Sequence, residues 1–186
     1  MSPNPMMLEQ RPRRLVCLIG FMGSGKSTVA KLLRRQTGWP TTDLDKRITD
    51  VTGLAITDIF ARLGEPEFRR VETEQLARSL AEAATEQKPT IVSLGGGTIT
   101  QPQNVALLRE FDATLVWLQC PIEELLHRCA QMSDRPLFRD EESFRRLYQE
   151  RLPFYEMADF RVDGNADPLR VVEQILALGI FPRVTA

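Results

Sequence analysis

Apolar residues in this chain come in short unbroken runs, separated by longer stretches where they recur every three or four positions. That is the pattern of parallel strands buried on both faces and joined by amphipathic helices. The runs predict strands at residues 14–19, around 40–43, at 90–94, at 113–119 and around 160–163. The longest helical stretch, about 66–86, brings Phe68, Val71, Leu76 and Leu80 toward one side, and Pro121 and Pro168 sit where first-turn prolines belong. Strand and helix alternate without an internal repeat or a low-complexity block. The expected fold class is therefore α/β, three layers with a mostly parallel five-stranded sheet at the centre. In such sheets ligands collect beyond the carboxyl ends of strands, so a polar residue just after a strand is where chemistry is sought.

Composition narrows the class of partner. At 186 residues and 42% hydrophobic content the chain suits one domain, expected over 14–182 behind a loose leader at 1–13 with three prolines. The net charge of −1 comes from both signs scattered along the chain, which excludes a basic stripe for nucleic acid or an anionic membrane. A small-molecule partner and a monomer are expected. Cys17, Cys120 and Cys129 form no C-x-x-C pair, and no apolar run suits a signal peptide or a span, so reduced thiols and a cytoplasmic location follow.

The first candidate chemistry lies after the first strand. Residues 20–27 read GFMGSGKS and fit the phosphate loop G-x-x-x-x-G-K-[ST] at every fixed position. Gly20, Gly23 and Gly25 allow a tight turn whose N–H groups, with Ser24 and the helix start at Ser27 and Thr28, surround phosphate oxygens. Lys26 supplies a point charge for the outer phosphates, and Ser27 a hydroxyl for Mg²⁺.

Three further groups lie beyond strands. Asp43 and Asp45, separated by Leu44, would point the same way on an extended backbone. Two readings are open: a Mg²⁺ ligand with a partner for a substrate hydroxyl, or an N-cap pair for a helix beginning near Lys46. The strand at 90–94 runs into Gly95, Gly96 and Gly97 rather than a Walker B aspartate, which leaves Asp43 as the Mg²⁺ helper. The triple glycine suits close approach of backbone to a ligand. Among the arginines Arg69, Arg135 and Arg151, each alone is by default a surface charge, but Arg135 sits in a polar stretch, about 132–141, suited to a lid over transferring phosphates. His127 lies on a helix among Glu123, Glu124 and Arg128 and is expected to face solvent. A GTPase switch is disfavoured, since Asp50-Val51-Thr52-Gly53 ends a helix and no N-K-x-D base reader exists.

Together, GFMGSGKST, Asp43-x-Asp45, Gly64-Glu65-x-Glu67-Phe68-Arg69-Arg70, Gly95-Gly96-Gly97, Arg135-Pro136-Leu137 and Arg151-x-Pro153-x-Tyr155 resemble the shikimate kinase family from Leu15 to about Leu178. The resemblance implies the nucleoside monophosphate kinase class of fold, with a substrate region at about 44–73, and transfer of the γ-phosphoryl of MgATP to the 3-hydroxyl of shikimate. It implies Lys26 and Arg135 as cations on the transferring group, Ser27 and Asp43 as the Mg²⁺ shell, and Asp45 as the hydroxyl partner and base. Arg69, Gly95, Gly96, Gly97 and Arg151 would hold shikimate, with Glu72 orienting Arg69 and Ile56, Phe60, Phe68 and Leu137 as an apolar wall. Arg128 matches a stacking arginine and Pro168 a proline near the base. Two departures stand out: Asn165-Ala166-Asp167 where some members carry an arginine, and Thr49 where relatives often have glutamate. A gluconate kinase would share the phosphate loop without the Asp45, Arg69, triple-glycine and Arg151 set, and a non-catalytic relative would have lost a member of it.

Overall fold

The computed structural model describes residues 14–86, 89–130 and 140–181. The expected strands form, within a residue at their ends: β1 (Leu15–Ile19), β2 (Thr41–Asp43), β3 (Thr90–Ser93), β4 (Thr114–Gln119) and β5 (Phe160–Asp163). They make one sheet in the order β2-β3-β1-β4-β5, every pair parallel. Leu94, expected inside β3, is just past it, though its N–H still donates to Leu18 C=O at 3.1 Å. The helices are α1 (Lys26–Thr37), α2 (Leu44–Thr52), α3 (Ile56–Arg62), α4 (Gly64–Thr85), α5 (Pro102–Glu110), α6 (Ile122–Ala130), α7 (Glu141–Tyr155) and α8 (Pro168–Ala177), with a 3₁₀ turn at Thr98–Thr100.

The period of two in β1 divides the core. Leu15, Cys17 and Ile19 face one apolar cluster with Leu76 and Leu80 of α4, Leu125 of α6 and Phe144 and Tyr155 of α7. Val16 and Leu18 face the other, with Val29 and Leu33 of α1 and Val172 and Ile175 of α8. All five β1 residues are buried, as a central strand covered on both faces requires. Phe68, Val71, Leu76 and Leu80 of α4 are buried together, as expected.

Three local expectations change. Pro168 is the first residue of α8, but Pro121 lies one residue before α6 and gives its carbonyl to Leu125 N–H at 3.1 Å. Asp45 is not on extended backbone: the chain enters α2 directly after Asp43, so the two carboxylates are set by a strand end and a helical first turn. The expected lid falls almost wholly outside the described residues, and of its last two, Asp140 caps α7 and Glu141 begins it. His127 is exposed. Among the described residues, no helix is long and apolar enough to cross a membrane.

Candidate active site

The strand order reverses direction about β1, and the crevice at the carboxyl ends of β1, β2 and β3 holds a cavity of about 500 Å³. Its lining runs from Gly23, Gly25, Lys26, Ser27 and Thr28 at one end to Phe60, Phe68 and Arg69 at the other. Asp45, Glu72, Gly95, Gly96, Gly97 and Arg151 also face it.

Gly25 takes φ 88°, a left-handed conformation that suits glycine, and α1 begins behind it with no side-chain cap. The helix start is thus left to present backbone N–H groups and the positive end of its dipole to an anion. Lys26 Nζ folds back onto the loop, donating to Gly20 C=O at 2.8 Å and Phe21 C=O at 3.0 Å. Ser24 does not line the cavity; its buried hydroxyl lies 3.4 Å from the Lys26 ammonium.

Asp43 caps α2 and also reaches the phosphate loop. Its Oδ1 caps α2 by accepting from Lys46 N–H at 3.1 Å, while its Oδ2 accepts from the Ser27 hydroxyl at 2.6 Å. A hydroxyl and a carboxylate oxygen side by side fit Mg²⁺, which takes oxygen ligands and is usually held by one or two protein groups plus substrate phosphates. Among the described residues no group of three or more His, Cys, Asp or Glu offers an all-protein metal cage.

The other end is built around two arginines. Arg69, on α4, pairs with the fully buried Glu72 at 2.7 Å and with Glu65 at 3.2 Å, and lies over the Phe68 ring. Arg151, on α7, is buried at 7% exposure, lies over the Phe21 ring and forms no carboxylate ion pair among the described residues. Burial pulls the Arg151 guanidinium below its ordinary pKa, opposed by Tyr155. A guanidinium stays charged in a protein, so this desolvation is relieved by an anion rather than by proton loss.

The triple glycine is what lets these charges converge. A Cβ on Gly97 would lie 2.7 Å from Arg69 Nη2 and 3.1 Å from Arg151 Nη2, so both guanidinium tips meet at one bare backbone position. A Cβ on Gly95 would lie 2.8 Å from Asp45 Oδ1 and 3.1 Å from Glu72 Oε1. The close approach expected from sequence is made first by the protein's own charged side chains. Gly96 C=O accepts from the buried Tyr155 hydroxyl at 2.5 Å.

Ile56, Phe60 and Phe68 line the cavity as the expected apolar wall, the two rings 4.6 Å apart. Arg128 lines it too, with its guanidinium held by Glu124 at 2.7 Å, Gly23 C=O at 3.3 Å and Asn165 Oδ1 at 3.4 Å. Asn165, one of the departures from the family pattern, therefore meets the arginine expected to stack on adenine. Pro168 is exposed and does not line the cavity. Arg135 and Leu137 lie outside the described residues. Sequence reasoning passed over Ser93, which lines the cavity and stands opposite Asp43 in register; its position at a strand end was the available signal. It also passed over Thr98, beside the triple glycine.

This chain is similar to known proteins over most of its length. A shikimate kinase from Geobacter metallireducens is 38% identical over 167 residues, covering 88% of each chain. One from Moorella thermoacetica is 41% identical over 152 residues, covering 81% of this chain and 84% of its own. The structure of shikimate kinase from Acinetobacter baumannii in complex with shikimate superposes with a TM-score of 0.82 at 31% identity, covering 93% of this chain and 97% of its own. The shikimate kinase family model matches residues 22–178, and this chain belongs to that family.

Proposed function

We propose that this protein is a shikimate kinase, moving the γ-phosphoryl of ATP to the 3-hydroxyl of shikimate to give shikimate 3-phosphate and ADP. The observation that carries the reading is one cavity with a phosphate loop at one end and two converging guanidinium groups beside a carboxylate at the other. Shikimate has one carboxylate and several hydroxyls, which suits paired forks for the acid and Asp45 for the alcohol.

In this reading Arg69 and Arg151 anchor the substrate carboxylate, and the apolar wall of Phe60 and Phe68 packs on its ring. That aims the 3-hydroxyl at Asp45, whose carboxylate takes the hydroxyl proton as the oxygen attacks the γ-phosphorus. The bond to the bridging β–γ oxygen breaks, and its electron pair leaves with ADP. Lys26 exchanges the loop carbonyls for phosphate oxygens and meets the charge that builds there. Arg135 serves as a second cation, on the strength of the Arg135-Pro136-Leu137 match alone. Ser27 and Asp43 would hold Mg²⁺, which when bound would neutralise phosphate charge.

The test is MgATP-dependent ADP release by purified protein, with shikimate, gluconate or nucleoside monophosphates as acceptor. Stimulation by shikimate alone is expected. Turnover with another acceptor instead would keep a kinase and overturn the substrate.

A further inference from the structure

The buried carboxylate of Glu72 has two oxygens and two different partners. Oε2 accepts from Arg69 Nη1 at 2.7 Å. Oε1 accepts from the Thr98 hydroxyl at 2.7 Å. Glu72 and Thr98 are both fully buried, so water does not stand in for either donor.

Thr98 is itself held from several sides. Its N–H donates to Gly95 C=O at 3.2 Å, and its C=O accepts from the fully buried Asn104 amide of α5 at 3.0 Å. The Thr98–Thr100 turn that follows the triple glycine is thereby fixed to α5. A Cβ on Gly95 would come within 3.0 Å of Thr98 Oγ1 and 3.1 Å of Glu72 Oε1, so the hydroxyl–carboxylate bond packs directly on that bare backbone.

The remaining support of Arg69 is weaker. Glu65 reaches it at 3.2 and 3.3 Å from a side chain 62% exposed, where solvent competes. The position of the Arg69 tip is therefore governed by Glu72. Glu72 in turn keeps one oxygen for Arg69 because Thr98 occupies the other.

We infer that Thr98 is a positioning residue for substrate binding: its hydroxyl fixes the Glu72 carboxylate so that Arg69 meets the substrate acid beside Arg151. The hydrogen bonds of Thr98 run to Glu72, Gly95, Gln101 and Asn104 and not to the phosphate loop or Asp45, so its effect falls on substrate affinity and not on the transfer step. Removing the hydroxyl leaves a buried carboxylate oxygen without its donor, and the carboxylate then turns to share the arginine.

This inference rests on the shikimate reading, and the experiment separates the two. Steady-state kinetics are compared for wild type, Thr98→Val and Thr98→Ser, varying shikimate and ATP in turn. Thr98→Val keeps the shape and loses the donor; its KM for shikimate is expected to rise about tenfold, with kcat and the ATP KM within about twofold of wild type. Thr98→Ser returns the donor and is expected to restore the shikimate KM. If the valine variant does not fold, Thr98→Ala carries the same comparison. An unchanged shikimate KM, an equal rise for both substrates, or no rescue by serine overturns the positioning role. No shikimate-dependent turnover by the wild type would instead overturn the underlying substrate reading.

Discussion

Asp45 is the residue on which the proposed chemistry turns. It lines the cavity from the first turn of α2, where the helix dipole favours a carboxylate. A general base contributes on the order of 10²–10⁴ to a rate. Asp45→Asn is therefore expected to lower kcat by about that factor with a much smaller change in either KM, measured by coupled ADP assay. Lys26→Met removes the charge proposed to meet the phosphates, and kcat is expected to fall by about 10²–10³, as for loss of one preorganised donor. Near-normal turnover by either variant would contradict its assigned role. Lys26 and Ser27 were identifiable because a phosphate loop is local, its parts separated by fixed numbers of bonds. Asp45 was expected on extended backbone, but α2 begins at Leu44, two residues before the start expected near Lys46, so Asp45 reaches the cavity from a helical first turn.

At the scale of elements, the turn after β3 and the clasp between α2 and α4 each make a separate prediction. Gly97 has φ −111°, which alanine tolerates, but its Cβ would displace two arginine tips. Those are flexible ends rather than backbone, so Gly97→Ala is expected to leave the melting temperature nearly unchanged. The shikimate KM is expected to rise at least tenfold. A parallel loss of stability would place the effect in packing instead. In the clasp, Arg47 of α2 donates to both carboxylate oxygens of Glu82 of α4, at 2.7 and 2.6 Å, and to the buried Gln75 at 3.1 Å. These bonds hold the Glu82 carboxyl below its ordinary value of 4.5. A carboxyl lowered by folding stabilises the fold above its unfolded pKa, and that contribution is lost as pH falls through the lowered value. Glu82→Gln is accordingly expected to lower stability modestly at neutral pH and to flatten its fall below about pH 4.5, the two proteins converging in acid, read from denaturation midpoints across pH.

Across the whole molecule, the two apolar clusters on either side of the sheet leave no thiol at the surface. Cys17, Cys120 and Cys129 are all buried, and desolvation pushes the Cys17 thiol up to about 12. Cys120 is raised as well by burial, although the Arg128 and Lys26 charges oppose the shift. Reactivity follows the thiolate, so native protein is expected to label slowly with a thiol reagent at neutral pH, whereas all 3 cysteines react on denaturation. Fast labelling of the native form would show that the sheet opens locally.

The strands, their order of occurrence and the phosphate loop follow from the chain alone, because burial on both faces writes an apolar run of fixed length and a phosphate cradle writes a contiguous motif. Arg69, the triple glycine and Arg151 were joined only by resemblance, since nothing in their local sequence separates a ligand fork from a surface charge. Tertiary structure brings the arginine tips to one point on Gly97, buries Glu72, and sets Thr98 against it across 26 residues of sequence. Asp43 likewise became both cap and Ser27 partner only when β2 ended opposite Ser93. Such juxtapositions depend on which strand ends lie side by side in the folded sheet, and the order β2-β3-β1-β4-β5 is fixed by packing between elements, not within any one of them.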